Sequence, residues 1–242
     1  MGTLRDSAAF LGLALAEAVW PTRCVICDTP GELLCRRCRL GLPYLDQLQA
    51  CPTCGAPWGR GICCECNHQT LSWRGMERFP LDGCASATML STATRRMVTV
   101  FKDRGEERMA GVLANIMADT MPPSWHNGSL LVPIPARKRA QRTRGFDHMQ
   151  MIVKELSDAT GIPYLSLLEQ GQRRDQRELD ARQRLENMRG SITVKPEKRA
   201  LVPKRVILAD DVFTTGATLF TAADALRKAG AEQVLGLTFI RA

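Results

Sequence analysis

The larger, C-terminal part of the chain alternates between two hydrophobic periodicities. Four short apolar runs are typical of buried strands: residues 83–90, 130–134, 205–209 and 233–240. Apolar positions at helical spacing lie between them, in residues 92–102, 106–121, 147–160 and 218–229. Gly161 and Gly230 stand just past two of these helices, where glycine commonly ends a helix. The alternation predicts an α/β domain over residues 80–242, with a parallel sheet flanked by helices.

The N-terminal part follows a different pattern. Residues 3–20 have apolar side chains near helical spacing, which predicts an N-terminal helix within residues 1–22. Packing of this helix on the next module is favoured over a membrane-surface helix. Residues 69–79 are interpreted as a linker, and residues 173–189 are densely charged without a clean apolar face.

Ten cysteines change this picture, because eight of them form four C-x-x-C pairs. The pairs are Cys24 and Cys27, Cys35 and Cys38, Cys51 and Cys54, and Cys63 and Cys66. Eight thiolates are enough for two structural zinc sites with four ligands each. So short a segment has little core of its own, so the metal would supply folding free energy. We therefore predict a zinc-binding module over residues 23–70, hereafter the cysteine module.

The pairing of the four motifs stays open at this stage. Sequential pairing gives two self-contained fingers and is favoured, whereas interleaved pairing would join the first motif to the third. Cys64 and Cys84 are expected to be packed free thiols outside the metal sites. His68 follows the last pair and could substitute for a cysteine ligand, although a surface histidine is favoured. The short apolar stretch 8–16 lacks the flanks of a secretion signal, so we expect the chain to stay in a reducing compartment. Disulfides are therefore disfavoured. No run is long enough to span a membrane, and we expect a cytoplasmic protein.

The formal net charge of +8 favours polyanionic partners such as nucleic acid or nucleotide phosphates. Aromatic residues make up 5% of the chain, so binding through many stacked bases is not expected.

Residues 206–218 carry the strongest chemical signal. An apolar strand is followed by Asp210 and Asp211, and then by small residues that lead into a helix. Ligands of α/β sheets bind at the carboxyl ends of the strands, and a helix N-terminus suits a phosphate. Carboxylates beside such a cradle would accept hydrogen bonds from sugar hydroxyls and face a Mg²⁺ ion. No Walker A motif is present.

This run resembles the ribose-phosphate motif of type I phosphoribosyltransferases. The resemblance implies that Asp210 and Asp211 hold the ribose hydroxyls of phosphoribosyl diphosphate. It assigns the 5-phosphate to Thr214, Thr215, Gly216, Ala217 and Thr218. In 6-oxopurine members of the superfamily an Asp stands where this chain has Thr214, which argues against a hypoxanthine–guanine salvage enzyme.

Three further segments resemble the ComF family. Residues 132–148 are similar to its V-P-x-P…R-G-F-N-Q block, residues 101–105 to its K-x-x-G segment, and residues 176–190 to its Q-x-x-L…R-x-x-N-x-x-G segment. Asp147 and His148 depart from the usual Asn and Gln. With the cysteine pairs, the resemblance covers nearly the whole chain and implies a zinc-binding module before a phosphoribosyltransferase-like domain.

A basic loop follows the second predicted strand, and the resemblance assigns it to the diphosphate group. Its cations are Arg137, Lys138, Arg139, Arg142 and Arg144. Lys102 is assigned to the same diphosphate site, and Arg144 is also a catalytic candidate beside Asp210 and Asp211. Residues 173–189 correspond to the lid of the family, although an exposed charged helix is equally compatible with their composition.

Two hypotheses for function follow. The first is an enzyme that binds Mg²⁺–phosphoribosyl diphosphate and transfers phosphoribosyl to a nitrogenous acceptor. The second, implied by the ComF resemblance, is a non-catalytic protein that handles single-stranded DNA, with DNA-uptake proteins as partners. A ligand-responsive transcription regulator has no support, since the sequence shows no helix-turn-helix pattern.

Overall fold

The structure is a computed structural model that describes residues 21–136, 141–142, 144–170 and 191–242. Its strands are β1 Gly83–Met89, β2 Leu130–Pro133, β3 Leu168–Gln170, β4 Ile192–Val194, β5 Arg205–Phe213 and β6 Gln233–Arg241. Its helices are α1 Arg36–Leu40, α2 His68–Trp73, α3 Thr92–Arg104, α4 Met109–Thr120, α5 His148–Thr160 and α6 Ala217–Lys228. Two short 3₁₀ helices lie at Pro123–Trp125 and Pro196–Leu201. The predicted N-terminal helix lies outside the described residues.

The central sheet has the strand order β1-β6-β5-β2, and each neighbouring pair is parallel. Strands β5 and β6 are buried along nearly their whole length, as parallel strands covered on both faces are. A hydrophobic core lies on each face of the sheet, and alternate side chains of β5 pack into one or the other. Ile207 packs with helices α3, α4 and α5, and Leu208 packs with helix α6. This arrangement confirms the predicted α/β class with helices on both faces.

Local sequence signals explain where the helices begin and end. The Asp147 carboxylate accepts hydrogen bonds from the amides of Met149 and Gln150 and caps α5. Gly161 ends the same helix with a φ of 72°, a left-handed conformation that glycine adopts without steric cost. Among the described helices, none has both the length and the apolar character needed to cross a bilayer.

Two local predictions differ from the structure. The segment interpreted as a linker contains helix α2, which Asn67 caps and which buries Leu71. A helix of 6 residues is too short to show a periodic apolar stripe. The antiparallel pair β3–β4, which flanks residues 171–190, was not expected either. Its strands have 3 residues each, below the length at which alternation is readable.

The cysteine module packs directly on the sheet. Residues 43–45 pair antiparallel with the outer edge of β1 through a bridge between Tyr44 and Thr88. The Leu45 amide donates to the Ala87 carbonyl at 3.0 Å, and the Met89 amide donates to the Pro43 carbonyl at 2.8 Å. The module therefore extends the sheet beyond β1.

Candidate ligand-binding cleft and metal centres

The acidic pair lies inside strand β5 rather than after it. The sequence predicted a strand over residues 205–209, but β5 continues to Phe213, with Asp210 opposite Thr238 of β6. Both carboxylates are buried, with 9% of Asp210 and 6% of Asp211 exposed. The earlier end was predicted because solvated aspartates usually stop an apolar strand. Here the neighbouring strand continues alongside and keeps the backbone paired.

A cleft of about 470 Å³ opens beside this pair. Its lining comes from several elements: Lys102 on α3, His148 on α5, Ala217, Thr218 and Thr221 on α6, and Gln170 on β3. This position, near the carboxyl end of β5 and the beginning of α6, is where α/β sheets place their ligands. The structure thus brings the acidic pair into one cleft with Ala217 and Thr218 of the predicted phosphate loop, whereas Thr214, Thr215 and Gly216 are not among the described lining residues.

The phosphate loop is built around Gly216, the N-cap of α6. Its φ of 78° lies in the left-handed region, and a Cβ added there would lie 2.4 Å from Cζ of Phe220 and 2.8 Å from Cζ of Phe213. Only glycine fits this position. Thr214, Thr215 and Thr218 are exposed around the helix start, so their hydroxyls can reach a ligand. A helix N-terminus surrounded by hydroxyls and backbone amides suits a dianionic phosphate.

Lys102 supplies a cation to the floor of the cleft. Its amine forms an ion pair with the Asp211 carboxylate, and both side chains are largely buried. Burial lowers the pKa of Lys102 to about 8, even though nearby Asp210 favours the charged amine. Burial also raises the pKa of Asp210 to about 7, against the attraction of Lys102. Burial therefore disfavours the charged form of both groups.

Arg144 and His148 also line the cleft. A guanidinium nitrogen of Arg144 lies 3.4 Å from Nδ1 of His148, and another lies 3.8 Å from the Asp103 carboxylate. His148 Nε2 is 4.0 Å from the Asp211 carboxylate. Burial, with the positive charges of Lys102 and Arg144, lowers the pKa of His148 to about 3. The imidazole is therefore neutral at physiological pH and can offer hydrogen bonds without charge.

The structure describes only some of the remaining residues that were predicted to hold the diphosphate. Arg142 is exposed and does not contribute to the described cleft lining. Arg137, Lys138, Arg139 and the charged segment 173–189 lie outside the described residues. His148 was noted from the sequence only as a departure from the ComF pattern, yet its place in the R-G-F block could have predicted a cleft position. Gln170, whose amide donates to the Pro135 carbonyl at 2.9 Å, gave no sequence signal.

The cysteines form two clusters of four. Cys24, Cys27, Cys35 and Cys38 make the first, and Cys51, Cys54, Cys63 and Cys66 the second, with all sulfurs of a cluster within 4.8 Å of one another. The structure thus has the sequential arrangement. The Cys54 and Cys63 sulfurs are 3.5 Å apart. Tetrahedral zinc with Zn–S bonds of about 2.3 Å separates its sulfurs by about 3.8 Å, so each cluster could hold a metal such as zinc.

The other thiols lie outside the two clusters. All ten cysteines are free, so the described structure has no disulfide. Cys64 is exposed and Cys84 is buried against the second cluster's side of the sheet, where burial raises the pKa of its thiol to about 12. His68 is exposed at the start of α2 and does not join either cluster.

No protein-family model matches the chain. Among curated proteins, the chain is 25% identical over 236 residues to competence protein ComFC of Bacillus subtilis (strain 168), covering 90% of this chain and 94% of that protein. It is 26% identical over 141 residues to ComFC of Streptococcus pneumoniae, covering 58% of this chain and 60% of that protein. It is 31% identical over 106 residues to competence protein F of Haemophilus influenzae, covering 43% of this chain and 46% of that protein.

Solved structures with similar architecture include the allosteric regulatory enzyme of purine biosynthesis, with a TM-score of 0.36 and 22% identity over 53% of this chain and 25% of that one. Adenine phosphoribosyltransferase from Leishmania tarentolae matches with a TM-score of 0.33 and 17% identity over 59% of this chain and 74% of that one.

The similarity to the competence proteins is informative about the family of this chain because it extends over most of its length. The alignment with the Bacillus subtilis protein spans the cysteine module and the α/β domain together. The same chain carries the four cysteine pairs, the R-G-F segment and the acidic pair in family order. These similarities support the assignment of the chain to the ComF family of competence proteins.

Proposed function

We propose that the cleft binds Mg²⁺–phosphoribosyl diphosphate. The observation that carries this proposal is the buried acidic pair, Asp210 and Asp211, in the same cleft as the N-terminus of helix α6. A site for a simple anion gains nothing from two buried carboxylates, which repel it. A sugar phosphate uses both features, because its hydroxyls donate to the carboxylates while its phosphate accepts from the helix start.

The positively charged side chains of the cleft suit the diphosphate group. Lys102 and Arg144 both line the cleft, and Arg144 presents a planar set of donors that matches phosphate oxygens. Oxygen donors are what Mg²⁺ prefers, and the buried carboxylates of Asp210 and Asp211 are hard ligands of that kind. Bound magnesium would neutralise charge on the leaving diphosphate. The chain's own residues would orient the sugar and hold the diphosphate in place.

The reaction that such a complex supports is transfer of phosphoribosyl to a nitrogenous acceptor. The bond between the anomeric carbon and the diphosphate oxygen breaks, a carbon–nitrogen bond forms, and the acceptor's proton leaves to water. Thr214 cannot act as a base at neutral pH, and His148, with a pKa of about 3, is a weak one. An acceptor whose nitrogen is already nucleophilic is therefore favoured over one that needs a strong base.

Titration of Mg²⁺–phosphoribosyl diphosphate into wild type, Asp210→Asn and Asp211→Asn by calorimetry tests the binding proposal. Each variant loses a charge-assisted hydrogen bond worth about 1.5–3 kcal/mol, so affinity should fall by about tenfold or more. Asp158→Asn, an exposed position on α5, removes the same charge away from the cleft and should change nothing. Equal affinities in all four proteins would refute the ribose assignment.

Inorganic diphosphate separates a specific role of the carboxylates from a structural one. It has no hydroxyls, so in magnesium-free buffer, where the carboxylates cannot act through a metal ion, Asp210→Asn and Asp211→Asn should bind it as well as wild type does, or better, because repulsion is reduced. Parallel loss of both ligands would mean that the carboxylates only hold the cleft together. Release of diphosphate from phosphoribosyl diphosphate across a panel of nitrogenous acceptors then tests transfer.

The relatives favour a second function. They are named competence proteins, and competence is the uptake of DNA, so we propose that this chain acts in handling single-stranded DNA and cooperates with DNA-uptake proteins. The net charge of +8 supports contact with phosphates. Phosphoribosyl diphosphate would then be a ligand that the protein senses. Failure of every acceptor in the panel, with ligand binding intact, would favour this function over transfer.

A further inference from the structure

Arg241 ties together the two halves of the second cysteine cluster. It is the last residue of β6, and 3% of it is exposed. One guanidinium nitrogen donates to the backbone carbonyl of Cys54 at 2.6 Å, and the other pairs with the Glu65 carboxylate at 2.5 Å. Cys54 belongs to the first C-x-x-C motif of this cluster, and Glu65 lies inside the second. A buried arginine thus holds both ligand-bearing loops at once.

The same guanidinium lies on the base of the phosphate loop. Its carbon is 4.3 Å from the ring centroid of Phe213, the last residue of β5. The Phe213 ring is in turn 6.1 Å from that of Phe220, with an edge-to-face geometry. Gly216 sits against both rings, closely enough that an added Cβ would overlap each of them. The backbone of the loop therefore rests on a surface whose position Arg241 helps to fix.

We propose that Arg241 is a positioning residue that couples metal in the second cysteine cluster to the conformation of the phosphate loop. Four thiolates around a divalent cation leave the cluster with net negative charge, which favours the buried guanidinium beside it. When the metal leaves, the loops that carry Cys54 and Glu65 lose their common anchor, and Arg241 loses its fixed partners. The consequence for ligand affinity rests on the proposed function, whereas the coupling itself does not.

The first cluster provides the internal comparison. Cys24 and its neighbours Val25 and Leu34 pack in the other hydrophobic core, with helices α3, α4 and α5. The nearby arginine, Arg23, pairs with Asp28 on the surface of the module. Among the described contacts, none joins this cluster to Phe213 or Gly216. Metal in the first cluster should therefore leave the phosphate loop unaffected.

Hydrogen exchange of the ligand-free, zinc-loaded full chain tests the coupling. In Arg241→Met, the amides of residues 213–220 should exchange about tenfold faster than in wild type, because the phosphate loop loses part of the surface that it rests on. Arg23→Met, which removes an arginine beside the first cluster, should leave these amides unchanged. Elemental analysis must show both zinc ions retained in each variant. Unchanged exchange in Arg241→Met, or an equal rise in Arg23→Met, would overturn the proposal.

Two milder changes keep the test decisive where Arg241→Met folds poorly. Glu65→Gln leaves the arginine in place but removes its charge partner, which is 40% exposed, and should raise exchange in residues 213–220 by about threefold. Cys63→Ser and Cys35→Ser each remove one ligand, from the second and first cluster respectively. Faster exchange in the loop of Cys63→Ser but not of Cys35→Ser supports the coupling, and the same result in both contradicts it.

Ligand binding separates this proposal from the proposed function. Affinity for Mg²⁺–phosphoribosyl diphosphate should fall by about tenfold in Arg241→Met, and by the same linkage the ligand should slow zinc release from the second cluster in wild type. Faster loop exchange without any ligand binding in wild type would support the coupling and sink the proposed function. Ligand binding in wild type with identical loop exchange in all variants would support the proposed function and contradict the coupling.

Discussion

The amine of Lys102 forms an ion pair with the carboxylate of Asp211 across the floor of the cleft, joining helix α3 to strand β5. In the free protein, the group assigned to the diphosphate is thus held by the group assigned to a ribose hydroxyl. Binding of the proposed ligand would give each of them a new partner. Because the pair is largely buried, the exchange of partners takes place where charge interactions are poorly screened.

Purified protein should contain about two zinc ions per chain, one for each cluster of four sulfurs. Cys63→Ser should lower the content toward one, because it removes a ligand of the second cluster. Cys64→Ser, at the neighbouring exposed thiol outside the clusters, should leave it at two. Elemental analysis measures all three proteins. A folded wild type without metal would contradict the assignment.

The pH dependence of stability should differ in sign between Asp210 and His148 in magnesium-free buffer. Burial raises the pKa of Asp210 from 3.8 to about 7, so the unfolded chain ionises first and stability falls as pH rises through this interval. Burial and positive neighbours lower the pKa of His148 from 6.5 to about 3, so the unfolded chain takes up its proton first and stability falls as pH drops through that interval.

The two effects offset each other between about pH 4 and pH 6.5 in wild type. Asp210→Asn should therefore lose stability more steeply than wild type on acidification, and His148→Gln less steeply. Urea unfolding at several pH values measures the slopes, with Asp158→Asn as the exposed control. Identical slopes in wild type and both cleft variants would show that neither group titrates abnormally.

Gly216→Ala should destabilise the protein more than Gly161→Ala does. The two glycines have nearly the same φ, 78° and 72°, so the strain from a left-handed alanine is about 1–2 kcal/mol at both. Gly161 has no atom of the described residues within 4 Å of an added Cβ, whereas Gly216 meets Phe220 and Phe213. Only Gly216→Ala should also weaken binding of Mg²⁺–phosphoribosyl diphosphate. Thermal unfolding and calorimetry compare the two, and equal effects would contradict the close-packed loop.

Single-stranded DNA should bind weakly and with strong salt dependence. Contact with about six phosphates would give a log–log salt slope of roughly −4. Arg142→Ala, at an exposed position after β2, should reduce the magnitude of the slope by about 0.7 for one lost phosphate contact. Competition by phosphoribosyl diphosphate would locate the DNA on the α/β domain. Fluorescence titration over a salt series gives both results, and a flat salt response would rule out the phosphate-contact mechanism.

The sequence was most informative where pattern and local chemistry agree. The buried run before Asp210, Gly216 and the helix of residues 217–228 are contiguous in the chain, so their place in one strand–loop–helix unit could be predicted. The cysteine clusters could be predicted for the same reason, since paired ligands sit within a short segment. Strand β5 was predicted too short, because its continuation depends on pairing with β6, which no local pattern encodes.

Contacts between distant segments could not be predicted from the sequence. Arg241 carried no motif, and its partners Cys54 and Glu65 lie 187 and 176 residues away. Gln170 and His148 enter the cleft because β3 and α5 are packed beside it, which depends on the whole fold. These are the residues for which the geometry, and not the pattern, supplies the functional hypothesis.

The pairing of residues 43–45 with β1 has a consequence for the solubility of any fragment. A fragment that starts near residue 80 would leave the outer row of amides and carbonyls of β1 open to solvent. Such an open row can recruit a strand from another molecule, the usual first step of edge-to-edge aggregation. The cysteine module thus covers this edge of the α/β domain and protects it from self-association. We expect a fragment without the module to aggregate rather than remain a monomer.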